Sequence, residues 1–259
     1  MGKIRYCALL ITLALFALSA DTAMAGPPFV SDDPEPVLLR HWECYIASAY
    51  NHSAGGATGT SPHFEVNYGA ATETQLHIIA PVAYSQTPGN SFNSGLGDVE
   101  LGIKYRFMRE TTFCPQAGVF PLIELPSGDS SGGLGAGRTS AFLPVWLQKS
   151  FGPWTSYAGG GYWFNKTAAG DKDYWQTGWE IQRDINKALT IGAEIFNFSR
   201  KADGGSSETG FNIGAIINFS EEHHLLLSAG GDTVGPNTQF AYAAFQWTIS
   251  NMIPPGIQR

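Results

Sequence analysis

Charged residues alternate with apolar ones in the stretch GDVELGIKYRF, residues 97–107. In an extended chain, successive side chains point to opposite faces, so one face would be apolar and the other would carry the charges. If such a chain closes into a barrel with its charged face inward, acids and bases oppose each other across a narrow lumen. They then create a transverse electric field, which filters polar solutes by charge and orientation. For Lys104 and Arg106, pairing with Glu100 to fill the interior is an equally open alternative.

The same alternation in other segments extends this polar face. FEVNY, WQTGWEIQ, LTIGAEI and FNIGAIINF each place polar residues on one side and apolar residues on the other. If these segments close into a barrel in lipid, their polar sides line the lumen and are the best candidates for contact with a solute. The predicted lumen-lining residues are Glu65, Asn67, Gln75, His77, Glu100, Lys104, Arg106, Glu180, Glu194 and Asn212.

Two histidines near the first loop could serve a hydrolase. His52 and His63 have Ser53 and Ser61 beside them, and a Ser/His pair at the rim of a barrel could act on lipid. Nothing in the sequence fixes the acid that would orient the histidine. We therefore predict no catalytic residue and no enzyme, and keep a barrel-embedded lipid hydrolase as an alternative function.

An acidic run, Asp32, Asp33 and Glu35, raises the question of a calcium site. It lacks the spaced oxygen ligands of a dedicated calcium loop, so a solvated segment or one docked in the lumen is the preferred interpretation. No metal and no cofactor are predicted. Cys44 and Cys114 fall on strands that are not neighbours, and we expect them to be unpaired.

The first 25 residues have the pattern of an export signal. Lys3 and Arg5 precede the apolar stretch YCALLITLALFALSA, and Ala23-Met24-Ala25 matches a cleavage site. Cleavage leaves 13 basic and 21 acidic residues, so the net charge of the mature chain is −8. This acidic balance argues against a nucleic-acid partner, which requires a basic face.

The composition favours a barrel in lipid over an ordinary soluble domain. Charged residues make up 14% of the chain, against roughly 25% in soluble domains. Glycine and aromatic residues are plentiful, yet no stretch after the signal has the 18 apolar residues of a spanning helix. Few charges, much glycine and no apolar block are typical of a transmembrane β-barrel.

Twelve strands are predicted, joined alternately by long polar loops and short turns. That sorting of loop length by parity indicates an antiparallel up-and-down barrel with its termini on one side, and the fold class is therefore all-β. The predicted strands span 41–51, 62–70, 74–85, 97–107, 112–126, 139–151, 154–164, 174–184, 188–199, 209–219, 223–232 and 238–249.

Twelve tilted strands close into a ring of roughly 24 Å backbone diameter. Inward side chains take up about 10 Å of that diameter, which leaves a passage for small solutes unless a segment plugs it. Two segments could do so, and they define the predicted organisation: signal peptide 1–25, periplasmic or lumen segment 26–40, barrel 41–249 and tail 250–259.

Several blocks in order resemble the outer-membrane transporter family named for the MetA pathway of phenol degradation. They are PPFVSDDPEPV, FEVNYG, GDVELGIKYRF, ELPSGD, LGAG, FLPVWLQKSFG, GAEIF and FAYAAFQWT. The resemblance spans nearly the whole mature chain and implies an outer-membrane barrel that takes up aromatic or other small hydrophobic compounds. One departure is that residues follow the last strand, whereas outer-membrane barrels usually end on an aromatic residue.

Together these observations predict a channel of the bacterial outer membrane for passive uptake of small solutes. The expected partners are outer-membrane lipid, a small-molecule solute and the barrel-assembly machinery during biogenesis. A closed structural barrel without a transport role is a further alternative. Neither the identity of the solute nor the oligomeric state follows from the sequence.

Overall fold

The computed structural model describes residues 28–89, 91–165 and 170–250. The predicted signal peptide 1–25 and nearly all of the predicted tail 250–259 lie outside these residues. Within them no helix is long and apolar enough to cross a membrane. The described residues form β1 Trp42–Ser53, β2 Gly56–Ala71, β3 Thr74–Gln86, β4 Asn93–Leu96, β5 Val99–Met108, β6 Gln116–Val119, β7 Leu122–Leu125, β8 Ser140–Phe151, β9 Trp154–Phe164, β10 Tyr174–Asn186, β11 Leu189–Phe198, β12 Glu208–Asn218, β13 His223–Val234 and β14 Gln239–Ile249.

The strands close into one antiparallel barrel. The first strand pairs with the last from Trp42 opposite Ile249 to His52 opposite Gln239. Strands β4 and β5 both pair with β3 and follow one another at one position of the barrel; β6 and β7 share the next position between β5 and β8. The barrel therefore has twelve positions, and the prediction of a twelve-stranded up-and-down barrel is confirmed.

One of the predicted strands is wrong as a continuous element. The predicted strand 97–107 forms as β5 and begins two residues later, at Val99, since the carboxylate of Asp98 accepts N–H groups from Gly128 at 2.9 Å and Ala136 at 2.6 Å. Asp98 thus holds an outer loop instead of continuing the charged face. The predicted strand 112–126 is interrupted at Pro121, which has no N–H to donate to the ladder.

The prediction of a long first loop is also wrong. Strand β2 begins at Gly56, so β1 and β2 are joined by a hairpin in which Ser53 lies opposite Gly56. Gly56 has a backbone φ of 115°, which residues other than glycine rarely adopt. The threonines that follow favour the extended chain. The other predicted long loops stand between strands at 87–92, 126–139, 165–173 and 199–207, with a shorter one at 235–238.

Apolar side chains cover the outside of the barrel. Ile103, Tyr105 and Phe107 on β5 are about half exposed, whereas Lys104 between them is 4% exposed. The outward face of GDVELGIKYRF is therefore the apolar one, as a lipid-facing wall requires. The belt continues around the barrel through Ile46, Phe64, Leu76, Ile78, Leu143, Val145, Leu147, Trp175, Trp179, Ile191, Ile195, Phe211, Ile213 and Leu227.

A charge placed on this belt should destabilise the barrel. Ile213 lies mid-strand on β12 and is 61% exposed. Arginine at mid-bilayer costs about 2–4 kcal/mol in transmembrane barrels. We expect Ile213→Arg to lower the free energy of unfolding from lipid vesicles by that amount, as measured by denaturant titration. Ser206→Arg, in the 199–207 loop, is the matched control and should change it little.

Candidate solute path in the barrel lumen

The alternation of the strands turns the predicted polar residues toward the inside of the barrel. Of the ten predicted lumen-lining residues, the side chains of Glu100 and Arg106 are 19% and 13% exposed. The eight that are buried are Glu65, Asn67, Gln75, His77, Lys104, Glu180, Glu194 and Asn212. Contact with a solute stays a prediction for all ten, but their positions divide them into groups on two different walls of the barrel.

One group forms a connected network on β2, β3 and β5. The amide of Asn67 donates to Glu65 at 2.8 Å, and its carbonyl oxygen lies 2.9 Å from Gln75 Nε2 and 2.6 Å from His77 Nδ1. The other ring nitrogen of His77 lies 2.9 Å from Glu100. This network fixes five of the predicted side chains in the wall.

The second group lies across the barrel on β10, β11 and β12. Glu180 is directly opposite Glu194 in the ladder, and Glu194 is directly opposite Asn212. Each side chain is at most 3% exposed. The structure therefore places two carboxylates and an amide side by side in one row.

An N-terminal stretch, residues 28–37, lies between the two groups; we call it the inserted segment. At the wall formed by β11, β12 and β13, the carbonyl oxygen of Pro28 accepts hydrogen bonds from Ser228 at 2.7 Å and from Asn212 at 3.2 Å. The backbone N–H groups of Val30 and Ser31 donate to Glu194 at 2.6 and 2.8 Å. These bonds attach the start of the segment to β11, β12 and β13.

At the opposite wall, the acidic run of the inserted segment contacts the two basic side chains of β5, Lys104 and Arg106. Lys104 Nζ donates to Asp32 at 3.0 Å and to Asp33 at 3.2 Å, and Arg106 donates to Glu35 at 3.2 Å. Asp33 is completely buried. Bonds from charged groups in a buried setting are stronger than neutral ones, so this end of the segment is held mainly by charge.

The wall is also shaped to the segment. A Cβ added at Gly192 or at Gly214 would come within 2.7 Å of the ring of Phe29. One added at Gly118 would lie 3.0 Å from Pro34. Only residues without a side chain let the segment approach the strands this closely.

Sequence reasoning left the partners of Lys104 and Arg106 open and missed the true ones. Glu100, the neighbour considered, pairs with His77. The partners of Lys104 and Arg106 in the inserted segment lie about seventy residues earlier in the chain, and Arg106 also pairs with Glu73. The available signal was charge complementarity between an isolated acidic run and two isolated lumen cations. The sequence also gave no sign that Gln116, Gln176 and Ser228 bind the segment.

An aromatic cluster adjoins the lysine. Phe120, Phe142 and Trp146 are buried together, and Trp163 stacks on Phe142 with ring centroids 4.8 Å apart. Lys104 Nζ lies 4.9 Å from the centre of the Phe120 ring. Such a cluster offers an apolar surface next to a cation inside the barrel.

The side chains considered for hydrolysis do not assemble a site. His63 contacts Thr60 at 3.1 Å, while His52 stacks on a tyrosine, and neither has an ion pair with a carboxylate among the described residues. Cys44 and Cys114 are free thiols. Within the part of the chain that the structure describes, no cluster of three or more histidine, cysteine or acidic side chains could hold a metal ion.

Glu73, in the turn between β2 and β3, is a further partner of Arg106. Burial tends to raise the pKa of the Glu73 carboxyl, but hydrogen bonds from Arg106 and Arg109 lower that pKa below its usual 4.5. A lowered pKa contributes stability that is present above pH 4.5 and is lost as pH falls through the lowered value.

We expect Glu73→Gln to lower the unfolding free energy by on the order of 1 kcal/mol at pH 7. The difference from wild type should shrink as the pH falls below 4.5. Denaturant titrations across this range measure it, with Glu222→Gln in the exposed 219–222 turn as the control. A deficit that does not depend on pH would show that the charge of Glu73 is not its cause.

Comparison with known proteins places the fold. No protein-family model and no curated protein matches the chain, so membership of the phenol-degradation transporter family is not confirmed. An outer-membrane channel from Pseudomonas putida F1 matches with a TM-score of 0.66 and 14% identity, over 87% of this chain and 100% of that one. The KdgM porin, solved alone and with disordered oligogalacturonate, matches with a TM-score of 0.54 and 11% identity, over 78% and 98%.

The fold is that of outer-membrane channel barrels. At these identities the likeness concerns the backbone alone, and the substrates of those channels do not follow from it. Together with the apolar outer belt, the fold supports a location in the bacterial outer membrane.

Proposed function

We propose that this protein is a passive outer-membrane channel for small solutes, held closed by its own inserted segment. The single observation that carries the proposal is the position of residues 28–37 across the lumen. In the described residues they bond to seven strands: β3, β5, β6, β10, β11, β12 and β13. Export by the signal peptide and insertion into lipid by the barrel-assembly machinery would bring the chain to its place.

The wall freed by displacement of the segment would combine charge and apolar surface. Lys104 and Arg106 would face the lumen on one side, with Glu180 and Glu194 on the other. The aromatic cluster beside Lys104 would offer a surface to ring-bearing solutes. This arrangement agrees with the aromatic or hydrophobic solutes that the family resemblance implies.

Conductance of the refolded protein in a planar lipid bilayer tests the proposal. We expect brief, salt-dependent openings from a mostly closed state, and a shift in their frequency when a small aromatic solute is added. A protein that is inserted but silent under all conditions would favour the closed structural barrel, and release of fatty acid from the bilayer would favour the hydrolase.

Charge selectivity supplies a second test. Lys104→Gln removes a lumen cation and a bond to the inserted segment, so openings should lengthen and the reversal potential in a salt gradient should shift toward cations. Lys149→Gln is the matched control, because Lys149 pairs with Glu110 at 2.8 Å near the end of β8. Equal selectivity in wild type and both variants would contradict a role for Lys104 in conduction.

A further inference from the structure

The row of Glu180, Glu194 and Asn212 on β10, β11 and β12 contains two carboxylates whose negative charges the neighbouring side chains do not balance. Glu180 and Glu194 are direct cross-strand neighbours, and both are buried. Directly opposite residues have Cβ atoms about 4.5–5.5 Å apart, so the two carboxylates lie side by side. Like charges at that separation repel strongly where water is scarce.

The carboxylate of Glu194 is well supplied with donors. It accepts the backbone N–H of Val30 at 2.6 Å, that of Ser31 at 2.8 Å and the side-chain amide of Asn212 at 3.1 Å. Three donors on one carboxylate stabilise its charged form.

Glu180 has none of this support. It is 1% exposed, and neither of its carboxylate oxygens has a hydrogen-bond partner among the residues that the structure describes. The side-chain oxygen of Asn212, also 1% exposed, is equally unpartnered. Among the described residues Lys104 is the only buried lysine, and its ion pairs are with Asp32 and Asp33. Buried charges of this kind are normally paired or coordinate a metal.

We propose that Glu180, Glu194 and Asn212 bind a hard divalent cation such as Ca²⁺ beneath the inserted segment. Carboxylate, amide and hydroxyl oxygens are the ligands that such cations prefer, with water completing a shell of six to eight. Ser31 brings a hydroxyl to the same place: its Oγ lies 2.1 Å from where a Cβ on Gly178 would stand, two residues from Glu180. The cation would neutralise the carboxylate pair and tie the segment to the wall.

Terbium(III) luminescence tests this site without any measurement of conduction, so its failure would leave the channel proposal standing. Tyr157 is opposite Glu180 in the ladder and fully buried, which makes it a suitable energy donor. On the metal-free, full-length mature barrel we expect a saturable signal that Ca²⁺ displaces. Glu180→Gln should weaken terbium binding at least about tenfold, the effect of removing a charged ligand.

Control variants separate this site from general attraction of cations to an acidic lumen. Glu43→Gln removes another inward carboxylate, one that accepts from Tyr45 at 3.0 Å, and should leave terbium affinity unchanged. Glu180→Asp, which keeps the charge, should retain part of the binding and covers the case in which Glu180→Gln fails to fold. Equal affinity in wild type and Glu180→Gln, absence of a saturable signal, or an infrared band of a protonated carboxyl that disappears in Glu180→Gln would each overturn the proposal.

Discussion

Deletion of residues 28–37 should raise the conductance of the barrel at least several-fold and convert brief openings into a steady open state. The segment lies in the narrow lumen of a twelve-stranded barrel, and its bonds reach both walls, from Glu194 on one side to Lys104 on the other. Without it, those groups face an aqueous lumen. Single-channel recording of the deletion variant beside wild type measures the effect.

A variant that keeps the segment but removes its charges separates blockage by bulk from retention by charge. Asp32→Asn, Asp33→Asn and Glu35→Gln together abolish the ion pairs that the segment makes with Lys104 and Arg106. We expect openings to lengthen, with conductance between wild type and the deletion. The triple variant Glu110→Gln, Glu221→Gln, Glu222→Gln, placed at strand ends and turns, is the control. A deletion variant as closed as wild type would show that another part of the chain blocks the lumen.

Most of the barrel could be predicted because its strands obey local rules. Alternation placed the apolar side of β5 in lipid and Lys104 inside, and the predicted span 154–164 coincides with β9. The errors arose where one residue overrides that pattern. Asp98 accepts two loop N–H groups, so its strand begins only at Val99, while Gly56 closes a hairpin in what resembled a long polar loop.

The site was less predictable, because parity tells which face a side chain takes but not what fills the space in front of it. All ten candidate residues lie on the inner wall, yet several partners of Lys104, Arg106 and Glu194 come from a segment without strand periodicity. The bonds from Glu194 to backbone N–H groups of Val30 and Ser31 use atoms that every residue has, so no residue type announces them. Glycine in a strand was the better signal, since it marks where another backbone or ring approaches.

That signal leads to the second large effect. Gly192→Val should open the channel without touching any charge. The added side chain would occupy the space now held by the Phe29 ring, whose Cζ would lie 2.7 Å from the new Cβ. Because a valine is well suited to a strand, the barrel itself should remain folded, and the segment should be pushed away from β11. We expect conductance to rise toward that of the deletion variant in the same bilayer recordings.

Rescue by a complementary change makes this prediction specific. Phe29→Ala removes the ring that collides with the new side chain, so Gly192→Val combined with Phe29→Ala should be more closed than Gly192→Val alone. Phe29→Ala by itself should have a smaller effect, since the bonds from Val30 and Ser31 to Glu194 remain. If the double variant conducts as much as Gly192→Val, the valine acts on the wall and not on the segment. If Gly192→Val stays closed, contact with the Phe29 ring does not hold the segment in place.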